Sequence, residues 1–304
     1  MFNHAFFHGV DQFRVKDVTK IAIILNPKAQ GERAESFMDQ VSRLSPKAEL
    51  RFTDGPGMAR ELAVACAAEG FHTVVAAGGD GTVNEVANGL QGTSTVLGVL
   101  PIGTMNVFAK EHDLPEKLED AWAVIRGGVV REIDLAVANE QSFVQLAGAG
   151  FDAQVVKETT WESKRRFGPL SYLMTAAQVA WRTPPPLVVQ IGGKEYTGAA
   201  VLIGNGRYYG AKLTVFPKAR PDDGLLDVLV FKHVSYLDLV RYAGSILIGK
   251  HTELPDVDYL QVPELHVRSE ASVPVEVDGE LSGELPVTFR IAGKLRICVP
   301  ESGR

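Results

Sequence analysis

Three glycines surround a single carboxylate at Gly78-Gly79-Asp80-Gly81, and Thr82, Asn84 and Glu85 follow at once. The run before them, Thr73 to Ala77, is short, β-branched and apolar, as a buried parallel strand is. Thr82 and Glu85 have the spacing of a capping box, so a helix is predicted to begin there with its free N–H groups facing back along the glycines. Such N–H groups and the helix dipole attract a phosphate, and glycine lets the backbone come close to it. A carboxylate at the same place repels phosphate. Asp80 therefore makes sense as a group that works through magnesium, or as one that accepts a proton from the group being phosphorylated. A plain tight turn before a helix is the bland alternative. Neither Gly-x-Gly-x-x-Gly nor the Lys-containing nucleoside-triphosphate loop occurs in the chain.

The elements that must hold this turn alternate strand and helix. Ile21–Leu25 reads as a buried strand, followed by the polar turn Asn26-Pro27-Lys28-Ala29-Gln30-Gly31 and a helix over 32–44. Arg51–Thr53 is a short strand, Met58–Glu69 an alanine-rich helix, Val96–Leu100 another strand, and Pro115–Arg126 a helix with proline at its start. This alternation predicts a parallel sheet with helices on both faces, whose site lies beyond the carboxyl ends of the strands. The loops 26–31, 78–82 and 103–106 converge there. Lys28 is the cation of the first loop, able to meet a phosphate or simply to stay solvated.

Beyond residue 130 the pattern changes to short strands at close intervals, with helical interruptions near 152–180 and 235–248. The expected fold is α/β: an N-terminal parallel-sheet nucleotide-binding domain over 20–130, then a mostly antiparallel β-sandwich over 131–304. The last strand, Lys294–Val299, is able to return to the first domain. Residues 1–19 form a phenylalanine-containing arm, read as a packing or partner-binding segment; without a basic start or a cleavage site it is no signal peptide.

Thirty-one basic against 37 acidic residues give a net charge of −6, which argues against nucleic acid as a partner. Two cysteines are too few for a zinc site and fit a reducing, cytoplasmic setting. No apolar run approaches the roughly 18 residues of a membrane span. Lys157, Lys164, Arg165 and Arg166 alternate with Trp161, Phe167 and Tyr172, a pattern that suits an anionic membrane surface or an ordinary solvated helix. The oligomeric state stays open, a homodimer among the options.

As a string, Gly-Gly-Asp-Gly-Thr-x-Asn-Glu resembles the signature of the diacylglycerol kinase catalytic domain, shared more loosely by sphingosine, ceramide and NAD kinases. Later elements resemble the same family in order: Gly148-Ala149-Gly150-Phe151-Asp152-Ala153, Asn205-Gly206-Arg207-Tyr208-Tyr209-Gly210, Pro217 to Asp227 with its Asp222-Asp223-Gly224, and Asp278-Gly279-Glu280. With Asn26-Pro27 and Gly103-Thr104 the likeness spans about residues 20–300, to lipid kinases of the bacterial two-domain type. One loop departs from it, reading Gly-Thr-Met-Asn-Val-Phe-Ala where the family has Gly-Thr-Ala-Asn-Asp-Phe-Ala. Met105 and Val107 put the packing of that loop in question and leave its hydroxyl in place.

The resemblance implies an ATP- and magnesium-dependent kinase that phosphorylates the hydroxyl of diacylglycerol or a similar lipid, peripheral to the membrane. Phosphatidylglycerol, a sphingoid base or NAD are alternative acceptors, and a non-catalytic nucleotide-binding regulator is the alternative class. It implies a nucleotide site of Asn26, Pro27, Lys28, Gly31, Thr53, Gly78, Gly79, Asp80, Gly81, Thr82, Asn84, Glu85 and Thr104. It also implies a magnesium site made by the Asp223 carboxylate with the carbonyls of Arg220 and Leu225. Glu280 is implied as the base, with Asp80 its competitor for that role.

Overall fold

The computed structural model describes residues 13–14, 20–27, 34–159, 175, 178–179, 184–210 and 212–301. The arm contributes β1 (Phe13–Arg14), which pairs antiparallel with the start of β6 (Val129–Ala138). Strands β2 (Ile21–Leu25), β3 (Glu49–Phe52), β4 (Thr73–Gly78) and β5 (Val96–Pro101) lie parallel in the order β3-β2-β4-β5. Alternation along each strand sends side chains to both faces. Ile24, Val74, Ala76 and Leu97 pack with α2 (Met58–Ala68) and α3 (Asp80–Leu90). Ile23, Leu25, Val75 and Leu100 pack on the other side with α1 (Ala34–Leu44) and α5 (Leu118–Gly127). The order reverses between β2 and β4, so the loops after those two strands flank the switch point.

The expected capping box is absent. Helix α3 begins at Asp80, its N-cap is Gly79, and no side chain caps it. Glu85 instead accepts the backbone N–H groups of Gly57 and Ala59, both at 2.9 Å, and so caps the neighbouring α2. A side chain one and a half turns into a helix points out from it. Here it meets the free N–H groups of α2 before it can fold back on its own. Residues 107–111 form α4 (Val107–Glu111), and the helix expected from Pro115 starts at Leu118.

The second half is a sandwich. After β7 (Gln141–Phe143), β8 (Leu146–Gly150) and α6 (Phe151–Glu158) come β9 (Leu187–Ile191), β10 (Lys194–Gly198) and β11 (Ala200–Gly204). Then follow β12 (Tyr208–Tyr209), β13 (Leu213–Thr214), β14 (Leu226–Phe231), α7 (Tyr236–Leu247), β15 (Val257–Val262) and β16 (Glu264–Arg268). The chain closes with β17 (Pro274–Val277), β18 (Glu280–Glu284) and β19 (Val287–Val299). The apolar run from Phe143 to Ala147 breaks at Val144-Gln145, and its two pieces join different sheets. One face of the sandwich is the sheet β15-β14-β11-β8-β17-β18; the other is β10-β9-β16-β19. Phe143, Val201, Val228, Val275, Val267 and Phe289 fill the space between them.

Strand β19 joins the halves. Its 13 residues pair antiparallel with β16 and β6, and Ile297 pairs parallel with Leu97 of β5, so one sheet runs through both. Removing the cap that Glu85 supplies leaves two N–H groups of α2 unpaired. Glu85→Ala is expected to lower the unfolding free energy by about 1–2 kcal/mol, read by urea denaturation.

Candidate active site

The loops after the parallel strands extend the sheet's hydrogen bonding before they turn away. Asn26 N–H donates to the Ala77 carbonyl at 3.1 Å, Thr53 N–H to Leu25 at 3.0 Å, and Ile102 N–H to Gly78 at 3.1 Å. Asn26, Pro27, Thr53, Gly78 and Gly103 are thereby brought to one edge. Gly79 and Gly103 touch backbone to backbone: a Cβ on Gly103 would sit 2.5 Å from the Gly79 Cα, so neither loop leaves room for a side chain. Thr82 is buried and folds back over Gly78. Thr104 is exposed at the rim. Lys28 and Gly31 lie outside the described residues. The site at the start of α3 is an N-terminus of free N–H groups walled by glycine, which fits the phosphates of a nucleotide.

Two of the implied nucleotide contacts are spoken for by protein. Asn84 is buried and accepts the Asn88 side-chain amide at 2.8 Å, in a network that reaches the Ser142 carbonyl; Glu85 caps α2. Asp80 accepts the N–H of Phe108 at 3.1 Å and so caps α4, coupling the glycine loop to the 103–106 loop. Burial raises its carboxyl above the ordinary value, against the opposing pull of the Phe108 and Val107 N–H groups and Lys110.

Glu280 reaches this place from the other half of the chain. It follows a two-residue hairpin turn in which Asp278 and Gly279 both have positive φ, 48° and 85°. Asp-Gly is the sequence that a type I′ turn favours. The Asp278 carboxylate accepts three backbone N–H groups, from Val144 at 2.9 Å and from Gln145 and Leu146 at 3.0 Å, which clamps the hairpin tip to the start of β8. Glu280 is exposed at that tip, and its Oε1 lies 3.8 Å from where a Cβ on Gly81 would be. A carboxylate open to an incoming substrate thus faces the N-terminus of α3.

Asp223 sits in the 217–227 turn, where its Oδ1 accepts the Leu225 N–H at 3.0 Å. The buried carboxylate beside the turn is Asp134, and it is already bonded to the Lys294 ammonium at 2.6 Å and the Gly224 N–H at 2.8 Å. Arg220 adds a second cation, 3.5 Å from Asp222. Burial and the neighbouring Asp134 and Asp222 charges raise the Asp223 carboxyl, against the pull of the Leu225 N–H and Arg220. One carboxylate with two backbone carbonyls is an oxygen set of the kind that suits magnesium, and Asp223, Arg220 and Leu225 would hold it. Among the described residues no three His, Cys, Asp or Glu side chains form a metal group.

The diacylglycerol kinase catalytic domain family matches residues 20–138, and the YegS C-terminal NAD kinase beta sandwich-like domain matches 145–299. The chain belongs to the diacylglycerol kinase family of lipid kinases. The kinase is 33% identical over 274 residues to "Probable lipid kinase YegS-like" of Chromohalobacter salexigens, covering 85% of this chain and 86% of that one. It is 29% identical over 277 residues to the diacylglycerol kinase of Bacillus subtilis, covering 88% and 91%. A solved structure described as a diacylglycerol kinase of Bacillus anthracis superposes with a TM-score of 0.76 at 24% identity, over 93% of this chain and 98% of that one; it shows the shared fold.

Sequence reasoning passed over several groups that shape the site of the kinase. Asp134 stands in an apolar strand, where a buried acid was the available signal. Glu276 is buried and Asp152 half-buried beside it, and loss of water together with their mutual repulsion favours a proton held between them. Tyr209 donates to Asp152 at 2.9 Å, and Gly279 N–H to Glu276 at 2.8 Å, so this pair braces the Glu280 hairpin from behind. Met105, the departing residue of the third loop, lies against Gly210, and Val107 is buried. The basic and aromatic segment around Trp161 to Tyr172 lies outside the described residues; Lys157 is described and pairs with Glu284 at 3.8 Å.

Loss of water pushes Asp278 up to about 6 in spite of its three N–H donors, and Asp80 adds to the rise. A carboxyl raised in the fold contributes stability below its unfolded value, and that contribution is lost as pH climbs through the folded one. The unfolding free energy of the wild type, measured against Asp278→Asn by urea titration, is therefore expected to fall between about pH 4 and about pH 6. A flat difference would show that Asp278 titrates alike in both states.

Proposed function

We propose that the protein transfers the γ-phosphoryl group of ATP, delivered with magnesium as the nucleotide complex, to the hydroxyl of diacylglycerol or a closely similar lipid. The observation that carries this is the meeting of Glu280 with the N-terminus of α3 at Gly81. Phosphate needs N–H donors and a hydroxyl needs a base, and the two are supplied from opposite halves of the chain. In the transfer, the lipid oxygen forms its bond to the γ-phosphorus as its proton passes to Glu280. The bond to the bridging oxygen breaks, and ADP leaves with the electron pair. Asp80 holds the 103–106 loop against the glycine loop, which keeps the cradle in shape for the transferred group. Asn26, Pro27, Thr53 and Thr104 rim the same edge and suit the rest of the nucleotide.

A lipid acceptor is supported by a partly open cavity of about 230 Å³, lined by Phe151, Val179, Pro184, Pro185, Val273 and Pro274. It opens at the start of β17, whose other end carries the Glu280 turn, roughly 10 Å along the strand. A hydroxyl at Glu280 and an apolar chain directed at this cavity lie within the reach of one diacylglycerol. No helix among the described residues is long and apolar enough to cross a membrane, so the lipid would be met at its surface.

The test is transfer of labelled γ-phosphate from MgATP to mixed-micelle lipids, with NAD as the soluble acceptor. Label is expected in diacylglycerol, and Glu280→Gln is expected to lower kcat by roughly 10²–10⁴-fold with the fold intact. Asp80→Asn is expected to lose most activity through the loop it holds. Label in phosphatidylglycerol or a sphingoid base alone would move the acceptor within the lipid class, and label in NAD alone would remove the lipid reading. Binding of ATP with no transfer to any acceptor would favour a regulator.

A further inference from the structure

Glu276 is 1% exposed, and the two oxygens of its carboxyl have different neighbours. Oε2 accepts the Gly279 N–H at 2.8 Å, which ties the carboxyl to the turn one residue before Glu280. No donor reaches Oε1. It lies beside Asp152 instead: a Cβ on Gly148 would be 3.0 Å from Glu276 Oε1 and 2.9 Å from Asp152 Oδ2. Gly148 is the cross-strand partner of Glu276 in β8, so the missing side chain is what lets the two carboxyls meet over the strand.

Two ionised carboxylates so placed repel each other, and the buried oxygen stays without a donor. A single proton removes both penalties. Carried on Glu276 Oε1, it is donated to Asp152 Oδ2. Loss of water favours the neutral form at Glu276, the more enclosed of the two acids. The Tyr209 O–H, donating to Asp152 Oδ1 at 2.9 Å, favours the charge on Asp152. No lysine, arginine or histidine among the described residues bonds either carboxyl; Lys157, on the helix of Asp152, pairs with Glu284. Asp278, whose charge also reaches Glu276, is another acid.

We propose that Glu276 positions the base Glu280, and does so as a neutral acid that donates to Asp152 while accepting from Gly279. Asp278 clamps the turn to the start of β8 from one side, and Glu276 fixes it to α6 through Asp152 from the other. Val277 pairs with Glu280 across the turn, so a turn released from Glu276 lets Glu280 swing away from Gly81. Glu276 is a positioning residue, since its carboxyl bonds the turn and not the reacting atoms. Its role rests on the kinase reading of Glu280.

The test compares Glu276→Gln with Glu276→Leu in the full-length protein. A glutamine N–H donates to Asp152 and its carbonyl accepts from Gly279, so it copies the protonated acid; leucine keeps the bulk and loses both bonds. Glu276→Gln is expected to keep kcat within about threefold of the wild type, and Glu276→Leu to lower kcat roughly 10²-fold with the KM for MgATP unchanged. The infrared difference spectrum of wild type against Glu276→Gln at neutral pH is expected to show the C=O band of a protonated carboxyl, moved by isotopic labelling of glutamate and not of aspartate. Exchange of the Gly279 amide, followed by NMR, is expected to be slow in the wild type and Glu276→Gln and fast in Glu276→Leu. Absence of the band would overturn the proposal. So would Glu276→Gln as impaired as Glu276→Leu, or Glu276→Leu with the kcat of the wild type. Should Glu276→Leu not fold, the band and Glu276→Gln decide the matter. If no acceptor is phosphorylated at all, the kinase reading fails by itself, and the band and the Gly279 exchange still decide whether a neutral Glu276 holds the turn.

Discussion

The hydrogen-bond register of β19 is the constraint on which the site depends. The strand leaves the sandwich beside β16, passes along β6 and ends parallel to β5, whose following loop lines the phosphate cradle. That path makes the two halves one sheet, so the hairpin carrying Glu280 is not hung on a free linker. A slip of a single residue in such a strand would turn its apolar side chains from the core and carry Lys294 off Asp134. Phe289 and Val287 on one stretch, and Ile297 and Val299 on another, lock the register because each is buried in a different core cluster.

Carboxylates gather where the halves meet, and almost all of them are satisfied by backbone. Asp80 takes the N–H of Phe108, Asp278 takes three from the start of β8, Glu276 takes Gly279, and Asp134 takes Gly224. Acids that bind N–H groups this way act as rigid struts between loops, and their cost in lost hydration appears as raised pKa values at Asp80 and Asp278. They point into the loops they brace, away from the N-terminus of α3. Glu280 is the exception. It is exposed at the tip and faces the start of α3 at Gly81.

Much of this was legible beforehand. Apolar runs of five or six residues between glycine-rich turns defined β2, β4 and β5, and the switch to short strands after residue 130 defined the sandwich. The Asp-Gly pair before Glu280 carried a turn type in its own chemistry. Other features were not legible for physical reasons. Thr82 and Glu85 have capping-box spacing, but the partner of Glu85 is the end of another helix, which local spacing cannot specify. The bond of Asn84 to Asn88 was not legible either, because it depends on that side of α3 packing on β7.

Sequence by itself determined the local conformations and the chemical inventory: which stretches form strands, where glycines open the turn before α3, and which acids stand in turns. Those depend on side-chain period, backbone freedom and residue type within a few positions. Only the tertiary structure decided which acids meet which donors. Asp80 and Glu280 are separated by most of the chain, and Asp134 and Lys294 by 160 residues. Long-range pairing of this kind is set by strand order and by one inserted residue in β19, Ala292, and neither is written in any single window of sequence.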